Sequence, residues 1–172
     1  LNDALEHNLV VPFHYFGISD IKSIDYENID LSKIDELAKL LNVNKRAEFI
    51  VEQMNFYSHI GNKRKVIGFC VSKEHASFMS EKFNENKINS ISLTSVDSIE
   101  KREEYIKKLE DENDSLEVIF TVDIFNEGVD IPSINTVLFL RPTNSPIVFI
   151  QQLGRGLRKH KNKEFLTVLD FI

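Results

Sequence analysis

From Lys65 to the C-terminus, short apolar runs of strand length alternate with stripes of helical period, and few folds accept that pattern. Val66 to Val71 (VIGFCV) is a continuous apolar run, as expected of a strand covered on both faces. Ser72 then reads as an N-cap, and Ala76, Met79 and Phe83 share one face of the helix it starts. Ile91 to Thr94 predicts a second strand, and Ile99 to Leu109 a second helix with Ile99, Ile106 and Leu109 turned inward. Glu117 to Thr121, Thr136 to Leu140 and Phe165 to Leu169 predict three more strands, with a helix from Pro146 to Leu157 before the last. Strands alternating with helices imply an open, mostly parallel sheet with helices on both faces. Ligands of such sheets collect beyond the carboxyl ends of the strands. Ser72, Thr94, Thr121 and Arg141 each end or follow a strand, so the candidate residues fall there.

The first 64 residues are less regular. Leu9 to Phe16, interrupted by Pro12, predicts an edge or initial strand. Asp20 to Asp30 is polar and acidic and reads as loop. Leu31, Ile34, Leu37, Ala38 and Leu41 form one helical stripe, and a second helix runs from Asn44 towards Tyr57, closed by Gly61-Asn62. The expected organisation is a partly helical extension over residues 1–64 and an α/β domain over 65–172. With 172 residues, 42% of them hydrophobic, the chain can bury one respectable core.

Composition removes several function classes. One cysteine, Cys70, excludes a disulfide framework and a cysteine-rich zinc site; within a strand it is expected to be buried and inert. His75 and His160 have no partner at metal-ligand spacing, so no metal site is predicted. No run approaches the roughly 18 apolar residues of a membrane helix, and no secretory leader is visible. A cytoplasmic protein without membrane contact is the expectation.

The net charge of −6 argues against indiscriminate nucleic-acid binding, but the distribution matters more than the sum. Asp97 to Glu117 holds nine acids against four bases, whereas Arg141 to Lys163 holds Arg141, Arg155, Arg158, Lys159, Lys161 and Lys163 and no acid. Such a patch can grip phosphate while the whole domain stays acidic, because screening lets the local field decide.

Within the basic stretch lies Gln151-Gln152-Leu153-Gly154-Arg155-Gly156-Leu157-Arg158. On a helix, Arg155 and Arg158 share a face, where two guanidinium forks can hold phosphate oxygens. The same residues could form the cationic end of a solvated helix. Gly154 and Gly156 favour the first reading, since each costs roughly 0.5–1 kcal/mol inside a helix and such costs mark close packing or ligand approach.

Upstream, Thr121 to Pro132 (TVDIFNEGVDIP) is a strand end breaking into a glycine-centred acidic turn. Thr121 offers a hydroxyl and an N–H to phosphate, and Asp130 a carboxylate to a ribose hydroxyl or to an arginine. Ser72 and Thr94 suit sugar-phosphate contacts, although as isolated features both read first as plain N-caps. Nowhere in the chain is there G-x-x-x-x-G-K-[ST] or an acidic magnesium motif after a strand, so it is not expected to hydrolyse nucleotide alone.

These residues resemble the second RecA-like domain of superfamily 2 helicases and translocases. Val66 to Phe83 resembles motif IV and its helix, Leu93 to Ser95 the next backbone-contacting motif, Thr121 to Pro132 motif V, and Gln151 to Arg158 motif VI in its Q-x-x-G-R-x-x-R form. Arg141 to Phe171 further resembles the bacterial subgroup related to restriction-enzyme motor subunits and phage-defence helicases. The resemblance implies a RecA-like fold, with Arg155 and Arg158 sensing the γ-phosphate. It assigns Gln151, Gly128 and Asp130 to nucleotide contact and coupling, and Thr121, with Ser72 and Thr94 beside it, to the nucleic-acid backbone. It further implies ATP and Mg²⁺ held mainly by a first RecA-like domain of the same polypeptide, for which residues 1–18 look like the connection. Duplex DNA is the favoured partner. Gln151-Gln152 stands where DEAD-box proteins carry His-Arg, which departs from RNA-specific DEAD-box chemistry. The rival expectation is a non-catalytic interaction module that kept the fold and contacts partners through Arg141 to Lys163.

Overall fold

The computed structural model describes residues 13–58, 61–122, 133–143 and 165–172. Six strands, β1 (Phe13–Ile18), β2 (Val66–Phe69), β3 (Ser90–Ser92), β4 (Val118–Thr121), β5 (Thr136–Phe139) and β6 (Leu166–Phe171), form one sheet in the order β1-β6-β5-β2-β4-β3. Every pairing is parallel. Four described helices accompany it: α1 (Ile34–Leu41), α2 (Asn44–Phe56), α3 (Lys73–Glu85) and α4 (Ile99–Glu110). The alternating pattern therefore builds the expected RecA-like sheet.

Period-two alternation divides the strand residues between two cores. One joins Ile67, Phe69, Ile119, Val137, Phe139 and Val168 to Leu109 of α4. The other joins Val66, Val118, Phe120, Leu138, Leu169 and Phe171 to Ile50 and Met54 of α2 and to Ala76, Met79 and Phe83 of α3. Gly68 in β2 leaves room for this second core: a Cβ there would lie 2.5 Å from the Phe120 ring, which stands edge-on to Phe83 at 4.8 Å. The amphipathic face of α2 thus covers the same sheet as α3, and the extension shares the core of the α/β unit.

Three local expectations are corrected. β1 continues to Ile18, because it pairs residue for residue with β6, from Phe13 opposite Leu166 to Ile18 opposite Phe171. α1 begins at Ile34 and leaves Leu31 in a turn, since the Asp30 carboxylate takes the Ser32 N–H at 3.0 Å and the Asp30 carbonyl takes the Lys33 N–H at 2.9 Å. Such local bonds compete with helix. Ile99 does not face inward: it is 62% exposed at the first turn of α4, and burial is complete only at Leu109. Residues 9–12 and the helix expected from Pro146 to Leu157 lie outside the described residues.

The amino ends of the strands are closely fastened. Asn135 accepts from the Lys65 N–H at 3.1 Å and donates to the Lys63 carbonyl at 2.8 Å. Lys63 Nζ donates to the carbonyls of Lys108, Leu109 and Asp111 at 3.0, 3.1 and 2.7 Å, capping the C-terminus of α4. Arg64 pairs with Glu117 at 3.0 Å, and Lys65 with Glu112. At the β3 edge, the Asn84 carboxamide takes the Ser90 N–H at 2.9 Å and gives to the Ser90 carbonyl at 3.1 Å.

Candidate nucleic-acid and nucleotide interface

The carboxyl ends of the strands are assembled differently. After β2 the chain leads towards β3, and after β5 it leads to β6 on the other side, so adjacent β2 and β5 define the topological switch point of the sheet. A crevice of about 310 Å³ opens there, lined by Leu31, Ile34, Leu37 and Val71 together with Arg141 and Thr143. Its apolar side belongs to α1 and the turn before it.

Ser72, Thr94 and Thr121 sit on three neighbouring strand exits, those of β2, β3 and β4. Ser72 accepts from the His75 N–H at 3.1 Å and caps α3. The Thr94 N–H donates to the Asp97 carboxylate at 2.8 Å and the Thr94 carbonyl accepts from the Asp97 N–H at 3.0 Å, which fixes the loop before α4. Thr121 is fully buried; its carbonyl accepts from the Cys70 N–H at 2.8 Å, tying the β4 exit to the β2 exit, while its hydroxyl finds no partner among the described residues. The cap geometry read for Ser72 is therefore present, and the Thr121 side chain is held at the junction with its hydrogen-bonding capacity unused by the described residues. Gly128, Asp130, Gln151, Arg155 and Arg158 lie outside the described residues.

The structure adds a group that the sequence reading passed over. Arg46 of α2 is fully buried, with Nε 2.8 Å from Asp20 and Nη2 donating to the Leu140 carbonyl at 3.0 Å. Asp20 also accepts from the Tyr26 hydroxyl at 2.8 Å, and its own N–H donates to the Ile172 carbonyl at 2.7 Å. The sequence did carry a signal, because Arg46 lies in register with Ile50 and Met54 on the apolar stripe of α2. His75 is fully buried, and its Nδ1 accepts from the Val71 N–H at 3.1 Å, which puts the proton of the neutral ring on Nε2. Burial, reinforced by the Arg46 charge, lowers its pKa to about 3. Burial likewise pushes the Cys70 thiol up, so it is an inert core group.

At the β6 exit, Asp170 accepts from the Tyr15 hydroxyl through one carboxyl oxygen, and the other has no partner among the described residues. Burial raises the Asp170 pKa, and burial with the Asp170 contact pushes Tyr15 up to about 12. Among the described residues no cluster of three or more His, Cys, Asp or Glu could hold a metal ion, and no helix is long and apolar enough to cross a membrane.

A parallel sheet with flanking helices and a crevice at its topological switch point is an α/β domain of the RecA type. Residues 32–160 match the helicase conserved C-terminal domain, and the chain belongs to that family, within superfamily 2. It is 32% identical over 155 residues to a Saccharomyces cerevisiae protein that is by name an ATP-dependent helicase, IRC3, covering 90% of this chain and 22% of that protein. It is 27% identical over 134 residues to the Escherichia coli type I restriction enzyme EcoKI endonuclease subunit, covering 70% of this chain and 11% of the subunit. In fold it resembles a fragment named as an HsdR subunit of a type I restriction enzyme from Vibrio vulnificus, with a TM-score of 0.71 at 21% identity, covering 98% of this chain and 33% of that one. The chain is thus related to restriction-enzyme motor subunits and phage helicases, and it spans only about a fifth of the first of these relatives.

Proposed function

We propose that the chain is the second motor domain of an ATP-dependent helicase or translocase acting on nucleic acid, with residues 65–172 as the second RecA-like domain and 1–64 as its helical extension. One observation supports this above the others: Ser72, Thr121 and Thr94 occupy the exits of adjacent strands β2, β4 and β3. Strands in a sheet lie about 4.8 Å apart, so the three exits form a short row suited to successive backbone contacts. Thr121 begins the run that holds Gly128 and Asp130, and Arg141 begins the run that holds Gln151, Arg155 and Arg158.

In this reading ATP and Mg²⁺ are held mainly by a first RecA-like domain of the full-length polypeptide. Gly128, Asp130 and Gln151 meet the nucleotide from the second side, and Arg155 and Arg158 stabilise the charge that spreads over the transferring phosphoryl oxygens. Closing and opening of the two domains then moves the backbone row along the strand. Kinship with a restriction endonuclease subunit favours duplex DNA as the track, and translocation at least as much as unwinding.

The test is ATP turnover by the full-length protein with double-stranded DNA, single-stranded DNA and RNA at one ionic strength, alongside triplex-displacement and unwinding assays. Arg155→Ala should lower stimulated turnover by roughly 10³–10⁵-fold with the fold intact. Undiminished turnover refutes the finger assignment, and stimulation by RNA alone overturns the choice of track. A full-length protein that binds through its Arg141–Lys163 stretch yet never turns over ATP would be the non-catalytic module instead.

A further inference from the structure

Arg46 is a charged residue in a place that apolar residues could fill. Its neighbours on the stripe, Ile50 and Met54, are both buried, and the guanidinium is as inaccessible as they are. Replacing a buried ion pair by well-packed apolar residues is often neutral or stabilising, so stability alone does not account for Arg46 and Asp20. An apolar pair cannot supply a directed bond to a single carbonyl. Arg46 makes one to Leu140, at the exit of β5, while its Nε is held by Asp20, at the exit of β1. Asp20 is itself fixed by Tyr26, by the Ile21 N–H at 2.9 Å and by its bond to Ile172. A planar fork set this way fixes both the place and the direction of the carbonyl it grips.

The residues immediately after that carbonyl are Arg141, Pro142 and Thr143, which line the switch-point crevice opposite the extension's Leu31 and Ile34. In sequence they open the run that carries Gln151, Arg155 and Arg158. We infer that Arg46 is a positioning residue of the motor reaction: from the extension, it sets the exit of β5 and the start of the arginine-bearing run. This rests on the motor reading above, and it makes the extension a working part of the interface.

The experiment compares full-length wild type, R46K and the double variant D20N/R46M, with R155A as control, by thermal melting and by steady-state ATP turnover at saturating nucleic acid. D20N/R46M removes both charges together and keeps an acceptor for Tyr26, so its melting temperature should stay near that of wild type. Its kcat should fall by about 10²-fold, the cost of a small misplacement relayed to a reacting centre. KM for ATP should hardly move, and R46K, which keeps the charge without the fork, should recover part of kcat. A normally melting D20N/R46M with wild-type kcat overturns the inference. If that variant does not fold, R46K decides, and wild-type kcat in R46K overturns it equally. Failure of the motor reading looks different: wild type itself would then show no stimulated turnover, or R155A would match it.

Discussion

The two ends of the sheet are built by opposite rules. At the amino ends, Asn135, Lys63, Arg64 and Lys65 bond side chains to backbone carbonyls, an amide and carboxylates until the polar groups there are nearly all used. Among the described residues, Thr121 Oγ1, His75 Nε2, Arg46 Nη1 and Asp170 Oδ1 are buried without a partner at the carboxyl ends, and the amino-end counterpart is Ser133 Oγ. Unmet hydrogen-bonding groups in a buried setting oppose folding. Both ends are fastened, but the protein leaves more of its buried polarity unspent at the carboxyl ends, where ligands of parallel sheets are bound. On the motor reading proposed above, function sits at the carboxyl ends, and the amino ends serve stability, a separation along the strand direction.

Acid should separate the two ends most sharply. His75 at the carboxyl end has a folded pKa of about 3 against an ordinary 6.5, so its contribution is fully present above pH 6.5 and is lost as the pH falls through about 3. His75→Asn keeps an acceptor for the Val71 N–H and cannot titrate. Urea unfolding across this window should show wild-type stability falling with acid and a flatter profile for the variant; parallel profiles would remove His75 as the cause.

Next in size is Asn135→Leu at the amino end. It leaves the Lys65 N–H and the Lys63 carbonyl unmet, at about 1–3 kcal/mol for each group that stays dry. Denaturant midpoints should drop while nucleic-acid-stimulated turnover, measured well below the melting temperature, holds. A loss of turnover there would break the separation.

The smallest effect should have the opposite sign. Thr121→Val replaces an unpartnered buried hydroxyl with a methyl and should raise stability by about 1 kcal/mol. It should also weaken nucleic-acid binding in full-length protein. A destabilised variant that binds normally would show that the hydroxyl has a structural partner and no role at the interface.

What the sequence disclosed follows the range of the forces involved. β2, α3 and β4 were legible because periodicity and an N-cap are local signals, and Ser72, Thr94 and Thr121 could be placed at strand exits for the same reason. The pairing of β1 with β6 joins Phe13 to Leu166, and nothing local in either segment announces a partner so far along the chain. Ile99 had the right spacing for burial, but spacing cannot tell where a helix leaves its sheet. Arg46 broke an apolar stripe, a sign legible in principle, yet its partners Asp20 and Leu140 are distant in sequence and only the fold brings them together.

At the β3 edge, where no described strand pairs, Asn84 mimics one residue of a neighbouring strand. In a parallel pair alternate residues bond to the neighbouring strand, and Asn89 and Leu93 face β4 in this way, so Ser90 points its N–H and carbonyl outward. An incoming chain would have to evict the Asn84 carboxamide and then remake the same two bonds, with no net gain at that position. Asn84 is anchored on α3 beside Phe83, whose ring rests on Phe120, so the plug is fixed to the hydrophobic core. Polymerisation by sheet growth, the standing hazard of an open edge, is thus opposed at β3 by a single amide side chain.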